Sequence, residues 1–313
     1  KQTGKYIFYF QYFKLIVKAI LILNSVKPDI IMANSYQPYI LFYIARFFSI
    51  AKPKIVSEEQ NNPRTMFERL KLRKYIVKKF DKLADLIIVP SKGIQDSLVE
   101  TFAMERDKVV IIPNPVITDN FYNMSVEEVE PWIKNRDFKL VITVGTLNYQ
   151  KNPVLLLKAF AIVRKKIKSK CIFIGDGPLL KELKLFVKKM NIEDEVFFLG
   201  FKKNPIKYIK NSDVFVLPSS YEAFGNVIVE AMACGCPVIS TDCDYGPGEI
   251  ISDKINGVLV EVNNEIQLAQ SIEDVLANNE LRYNLIKEGY KRAMDFKAEK
   301  IAKIYKEVIL SVS

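Results

Sequence analysis

A strand pattern, VFVLP, ends at Pro218; a polar loop, SSYEAFG, follows it; and a helix pattern, NVIVEAMACG, opens near Gly225. At such a helix start the backbone N–H groups of Phe224, Gly225, Asn226 and Val227 lack partners within the helix and carry the positive end of its dipole. A diphosphate is favoured at that point. Glycine at position 225 lets the backbone approach a phosphate that a side chain would block. Glu222 precedes the helix and Glu230 lies inside it, and carboxylates so placed accept hydrogen bonds from sugar hydroxyls. Two glutamates at this spacing occur on any helix by chance. The setting makes the pair specific, after strand-Pro-Ser-Ser and before Ala-Met-Ala-x-Gly.

Other chemistries find little support. The chain has 313 residues and no histidine, which removes the usual general base and every Ser-His or Cys-His nucleophile. Its four cysteines, Cys171, Cys234, Cys236 and Cys243, form no CxxC pair, so they read as reduced cytoplasmic thiols rather than zinc ligands. Asp242-Cys243-Asp244 supplies two carboxylates, a poor metal site without further oxygen ligands. Those carboxylates are expected to shape the loop Tyr245–Glu249, with no metal and no cofactor bound. No G-x-G-x-x-G run marks a nicotinamide dinucleotide site.

The formal net charge of +10 is concentrated at the front: residues 1–108 hold 19 Lys and Arg against 10 Asp and Glu. Eight of those cations lie between Arg64 and Lys82. Such a stretch fits a membrane phospholipid, a lipid diphosphate or nucleic acid, or else a solvated helix face. Nucleic acid is set aside, since no matching fold motif or run of stacking aromatics accompanies the charge.

These residues need a scaffold. Runs of Val, Ile, Leu and Phe predict strands at Asp29–Ala33, Lys54–Ser57, Leu86–Pro90, Val109–Ile112, Leu140–Val144, Cys171–Ile174, Val196–Leu199, Val214–Leu217, Val238–Ser240 and Val258–Val260. Uninterrupted apolar strands separated by helical patterns predict an α/β chain with doubly wound parallel sheets. The acidic stretch Asn120–Asp137 reads as a linker between two such series. Tyr6–Leu23 is apolar but carries Lys14 and Lys18, which predicts an amphipathic or buried helix rather than a membrane span. Ala298–Val312 predicts a further amphipathic helix. The chain opens on Lys1 without an initial strand and glycine turn, so the first series is expected to be incomplete.

With those residues in view, SYEAFGNVIVEAMACGCPVISTDCDYGPGEI resembles the Glu-x7-Glu signature of glycosyltransferase family 4, retaining enzymes of the GT-B fold. VGTLNYQKNP, FIGDGPLL, FLGF and NGVLV follow the same family in order, as do KPDIIMAN, DLIIVPSKGI and VVIIPNPV upstream. The resemblance covers nearly the whole chain. It implies a truncated N-terminal Rossmann-like acceptor-side domain with linker over 1–137, a nucleotide-sugar-binding domain over 138–293, and a last helix, 294–313, packing back towards the first. The reacting centre would lie between the domains.

The resemblance also implies roles. Glu230 would bind the ribose hydroxyls and Glu222 would lie beside the donor sugar. The amides of Ala223–Val227 would meet its hydroxyls and diphosphate. Lys151 would neutralise the departing diphosphate, Gly145 and Gly175 would line the donor cleft, and Phe201 and Lys202 would lie by the base. The donor is expected to be a uridine diphosphate sugar and the acceptor a saccharide or lipid-linked saccharide. The enzyme would be cytoplasmic, at the inner face of the cell membrane through Arg64–Lys82.

Two positions depart from the family. Thr146 stands where an arginine commonly completes a diphosphate clamp, and a hydroxyl is a weaker phosphate partner than a guanidinium. Ser57-Glu58-Glu59 places Glu59 where relatives have a histidine near the reacting centre. A non-catalytic homologue that binds the donor or acts as a scaffold is therefore the alternative.

Overall fold

Strand residues of the larger unit alternate between two separate cores, which is what buries these runs on both sides. The computed structural model describes residues 2–34, 36–60 and 84–312. The basic stretch Arg64–Lys82 lies outside them.

One compact unit comprises Lys1–Pro113 with Ala302–Ser313, and the other Asn114–Ile301. In the first, strands β1 (Ile30–Asn34), β2 (Lys54–Glu58), β3 (Leu86–Val89) and β4 (Val109–Ile111) form a parallel sheet in that order. Helix Gln2–Val26 precedes β1, and it stops where Lys27 takes a left-handed φ of 47° before Pro28. Helix Tyr36–Phe48 joins β1 to β2. Helix Lys92–Phe102 follows β3, capped by Ser91, whose side chain accepts from the Ile94 amide. Among the described residues no helix is long and apolar enough to cross a membrane. Helix Ala298–Val312 ends the chain, and in the first unit Tyr305 Oη donates to Glu58 Oε1 at 2.8 Å.

The second unit holds β5 (Lys139–Val144), β6 (Ser169–Ile174), β7 (Val196–Gly200), β8 (Val214–Leu217), β9 (Val238–Thr241) and β10 (Val258–Val260). Val141, Cys171, Phe173, Val214 and Val216 point to helices Pro153–Val163 and Glu265–Ala277. Their neighbours Ile142, Ile172 and Phe215 point the other way, to helix Asn226–Ala233. This period of two, apolar on both faces, defines a doubly wound parallel strand.

The sheet order is β10-β9-β8-β5-β6-β7, all parallel. The chain winds from β5 outwards to β7, then returns to lay β8 on the other side of β5. The winding direction reverses between β5 and β8, and the loops leaving their carboxyl ends diverge around a crevice. That crevice positions the site.

Candidate functional site

Lys151 lies on the loop leaving β5 and Glu222 on the loop leaving β8, so they meet across the switch point. Lys151 Nζ stands 2.5 Å from Glu222 Oε1, and Ser219 Oγ donates to the same oxygen at 2.7 Å. Neighbouring bonds lash the two loops together: Gln150 Nε2 donates to the Tyr221 carbonyl (3.1 Å) and the Ser220 amide to the Gln150 carbonyl (2.8 Å). The Lys151 amide donates to Asn148 Oδ1 at 2.9 Å. Glu222 is only 6% exposed, and Lys151 is the cation beside it. Thr146 lies exposed on the same loop.

Glycine lets the loops after β5 and β6 touch. Gly175 has φ of 133°, and a Cβ there would lie 2.0 Å from the Gly145 carbonyl oxygen. Its amide donates to the Gly200 carbonyl, and Gly145's to that of Ile174, both at 2.9 Å. We expect Gly175→Ala to lower stability by about 2 kcal/mol or more, because overpacking and backbone strain combine. It should weaken ligand binding in parallel, as thermal melting and titration of the same sample would show.

Past Gly200, Phe201 is 79% exposed. Lys202 Nζ lies 3.6 Å from Glu130, and 5.6 Å from the centre of the Tyr208 ring.

Helix Asn226–Ala233 starts behind Gly225, which adopts φ of 104° and ψ of 54°. The first amides of such a helix have no partners within it. Asn226 is exposed, and its Oδ1 accepts from Asn114 Nδ2 at 2.9 Å. Phe224 is buried, its ring set edge-on to Phe296 with centroids 5.4 Å apart. Ala223 and Val227 are half-buried on either side of the turn. The loop after β9 presses on this turn, since a Cβ on Gly246 would lie 2.2 Å from the Phe224 carbonyl oxygen. Asp244 bridges to Tyr221 through the backbone. Among the described residues no cluster of three or more Cys, Asp or Glu could hold a metal ion.

Glu230 lies on the same helix, and burial raises its carboxyl above the ordinary value. Among the described residues no donor or cation bonds that carboxyl. A carboxylate withdrawn from water and left without a protein donor is suited to take hydroxyls from a ligand. The cysteines are free and buried, and desolvation pushes the thiols of Cys234 and Cys243 up to about 12.

Glu59 belongs to the other unit, just past β2, where its amide donates to the Ile88 carbonyl at 2.9 Å. Its Oε1 is buried without a partner among the described residues, and desolvation raises its pKa to about 7.

The structure thus brings together Lys151 with Glu222, Gly145 with Gly175, and Glu222 with the helix start at Gly225. It sets Lys202 beside Glu130. Sequence reasoning missed Ser219, Gln150 and Asn114. Ser219 lay in view three residues before Glu222, but only the strand order shows what it bonds.

Residues 126–292 match the family described as Glycosyl transferases group 1, and residues 4–120 match Glycosyltransferase Family 4. The chain is 32% identical over 271 residues to N-acetylgalactosamine-N,N'-diacetylbacillosaminyl-diphospho-undecaprenol 4-alpha-N-acetylgalactosaminyltransferase of Campylobacter jejuni, covering 85% of this chain and 72% of that protein. It is 31% identical to an uncharacterized glycosyltransferase of Methanocaldococcus jannaschii, covering 96% of this chain and 84% of the relative. Among solved structures, Anabaena HepE in complex with UDP superposes with a TM-score of 0.81 at 23% identity, covering 95% of this chain and 82% of that one. A glycosyltransferase from Rickettsia africae also gives 0.81, at 18% identity and 97% and 82% coverage. These likenesses establish the fold.

Proposed function

The chain belongs to glycosyltransferase family 4, and on that premise we propose that it moves a sugar from a nucleoside diphosphate to a saccharide or lipid-linked saccharide with retention at the anomeric carbon. Membership and the GT-B fold make it a glycosyltransferase of polysaccharide or lipid-linked glycan synthesis. The finer reading rests on one observation above all: the Lys151–Glu222 pair at the β5/β8 switch point, beside the helix start at Gly225.

In this reading the first amides of the helix hold the diphosphate, with Gly145 and Gly175 giving it room. Glu230 accepts the ribose hydroxyls, Glu222 borders the sugar, and Phe201 flanks the base. As the bond from the anomeric carbon to the phosphate oxygen breaks, charge grows on the diphosphate and Lys151 and the helix dipole offset it. The acceptor oxygen bonds to the anomeric carbon on the face just vacated, and its proton passes to the leaving phosphate. No histidine is needed. Uridine is the base favoured by the structural likeness to a UDP complex, and the name of the Campylobacter relative favours a lipid-linked acceptor. A place at the inner face of the cell membrane fits such an acceptor.

Calorimetric titration with UDP and GDP tests the donor assignment. We expect UDP to bind, and Glu230→Gln to weaken it by about 1.5–3 kcal/mol, the worth of a charged hydrogen bond. Equal affinities of parent and variant would remove Glu230 from the nucleotide site. An inverted product anomer by NMR would overturn retention. Exposed Thr146, a weak phosphate partner, favours the second reading, a homologue that binds the donor without turning it over.

A further inference from the structure

Helix Asn226–Ala233 opens behind Gly225, which has no side chain to cap the first turn. At a helix start an asparagine oxygen readily takes free amides of its own chain. Asn226, the first helical residue, does not cap in this way. Its Oδ1 accepts instead from Asn114 Nδ2 at 2.9 Å, a bond between residues 112 apart in sequence. That bond draws the oxygen away from the helix start and leaves the first amides open. It also fixes the sense of the side-chain amide. With Oδ1 engaged, Nδ2 is the end left over, and among the described residues it donates to no protein acceptor. Asn226 itself is exposed, so these N–H groups are open to a ligand.

Asn114 can hold that sense because it is itself held. It is the first residue of the second unit and is half-buried. Just beyond it, the amides of Val116 and Ile117 donate to the Phe296 carbonyl, at 3.1 and 3.2 Å. The Ala298 amide donates to the Ile117 carbonyl at 2.9 Å, and Ile117 pairs with Lys297 as a parallel bridge. The Phe296 ring packs edge-on to Phe224, in the turn before the helix. One residue therefore braces both the segment that carries Asn114 and the turn that leads to Asn226. A polar group supported in this way loses little freedom when it binds.

We propose that Asn114 is a positioning residue for the donor, which keeps the helix start clear and aims the Asn226 side-chain N–H groups at the diphosphate. The Asn226 side chain then adds a donor to those of the free amides, and an anionic oxygen strengthens such a bond. The opposite sense would set a carbonyl oxygen against the phosphates. Asn114 has this role only where the helix start holds the donor as proposed above.

Calorimetric titration of the full chain with UDP and with GDP tests it. Asn226→Ala should weaken binding about tenfold, the loss of one hydrogen bond to a charged group. Asn114→Ala should weaken it roughly three- to tenfold, because the Asn226 oxygen is then free to turn back to its own helix. In the Asn226→Ala background the same change should have no further effect, which a double-mutant cycle reads directly. The phosphorus resonances of the bound nucleotide should move in both single variants, while their melting temperatures stay near the parent's. A bond that served the fold alone would do the reverse.

Equal losses on Asn114→Ala with and without the Asn226 side chain would overturn the proposal, since Asn114 would then act elsewhere. Unchanged affinity in Asn226→Ala would also overturn it, because that side chain would not meet the phosphates. A parent that binds neither nucleotide removes the donor site and the role of Asn114 together, an outcome that the parent alone reveals.

Discussion

Lys151→Ala is expected to lower turnover by about 10²–10³-fold while donor affinity falls no more than about tenfold, since in the proposed mechanism the lysine faces charge that grows during the reaction. Its ammonium is matched by Glu222 at 2.5 Å, which limits what it adds to ground-state binding. When the sugar–phosphate bond breaks, the diphosphate gains negative charge and the same ammonium gains attraction without having to move far. Removing it also leaves Glu222, 6% exposed, with Ser219 alone among these partners, a strained arrangement that could lower activity by disordering the loop. Lys151→Ala combined with Glu222→Gln separates the two causes. If loop disorder were responsible, the second change would restore part of the rate; if charge is responsible, it would not. Single-turnover rates with donor pre-bound, set against calorimetric affinities, give both quantities. A small and equal effect on rate and affinity would instead favour the homologue that binds without catalysis.

The ten strands of the described residues were legible, because most are runs of Val, Ile, Leu or Phe of the kind that burial on two faces explains. Glu222, Gly225 and Glu230 were legible for a local reason: a strand end, a short polar loop and a helix start lie within a few residues of one another. The partner of Glu222 was not. Lys151 is 71 residues away in sequence, and their meeting depends on β8 returning to lie beside β5, a choice of strand order that no local pattern encodes. The contacts of Lys202 were equally hidden: its place beside Phe201 suggested a role at the base, while its approach to Glu130 and the Tyr208 ring is set by tertiary packing.

Glu59→Gln should stabilise the first unit by roughly 3 kcal/mol at pH 8 and by little at pH 5, a value set by linkage at 1.36 kcal/mol per pKa unit. The folded carboxyl has a pKa of about 7 against an ordinary 4.5, because burial disfavours its charged form. Between those values the native state binds more protons than the unfolded chain, so stability falls as pH rises through the window. The loss is complete above the folded pKa. Glutamine carries no charge at any of these values, so the variant escapes the loss, and its advantage should grow from about pH 5 and level off near pH 8. Trp132, the one tryptophan in the chain, lies in the other unit, and fluorescence would miss the effect. Hydrogen exchange at the β2 amides of Ile55 and Val56, beside Glu59, reads the first unit directly. A pH-independent difference would mean that the native carboxyl is ionised with a donor, and that its Oε1 is not the unpartnered atom on which the shift depends. If Glu59 also touches the reacting groups, the parent's turnover should change on a limb near pH 7 that the glutamine variant lacks. A parent and variant with the same profile would make it a buried structural carboxyl instead.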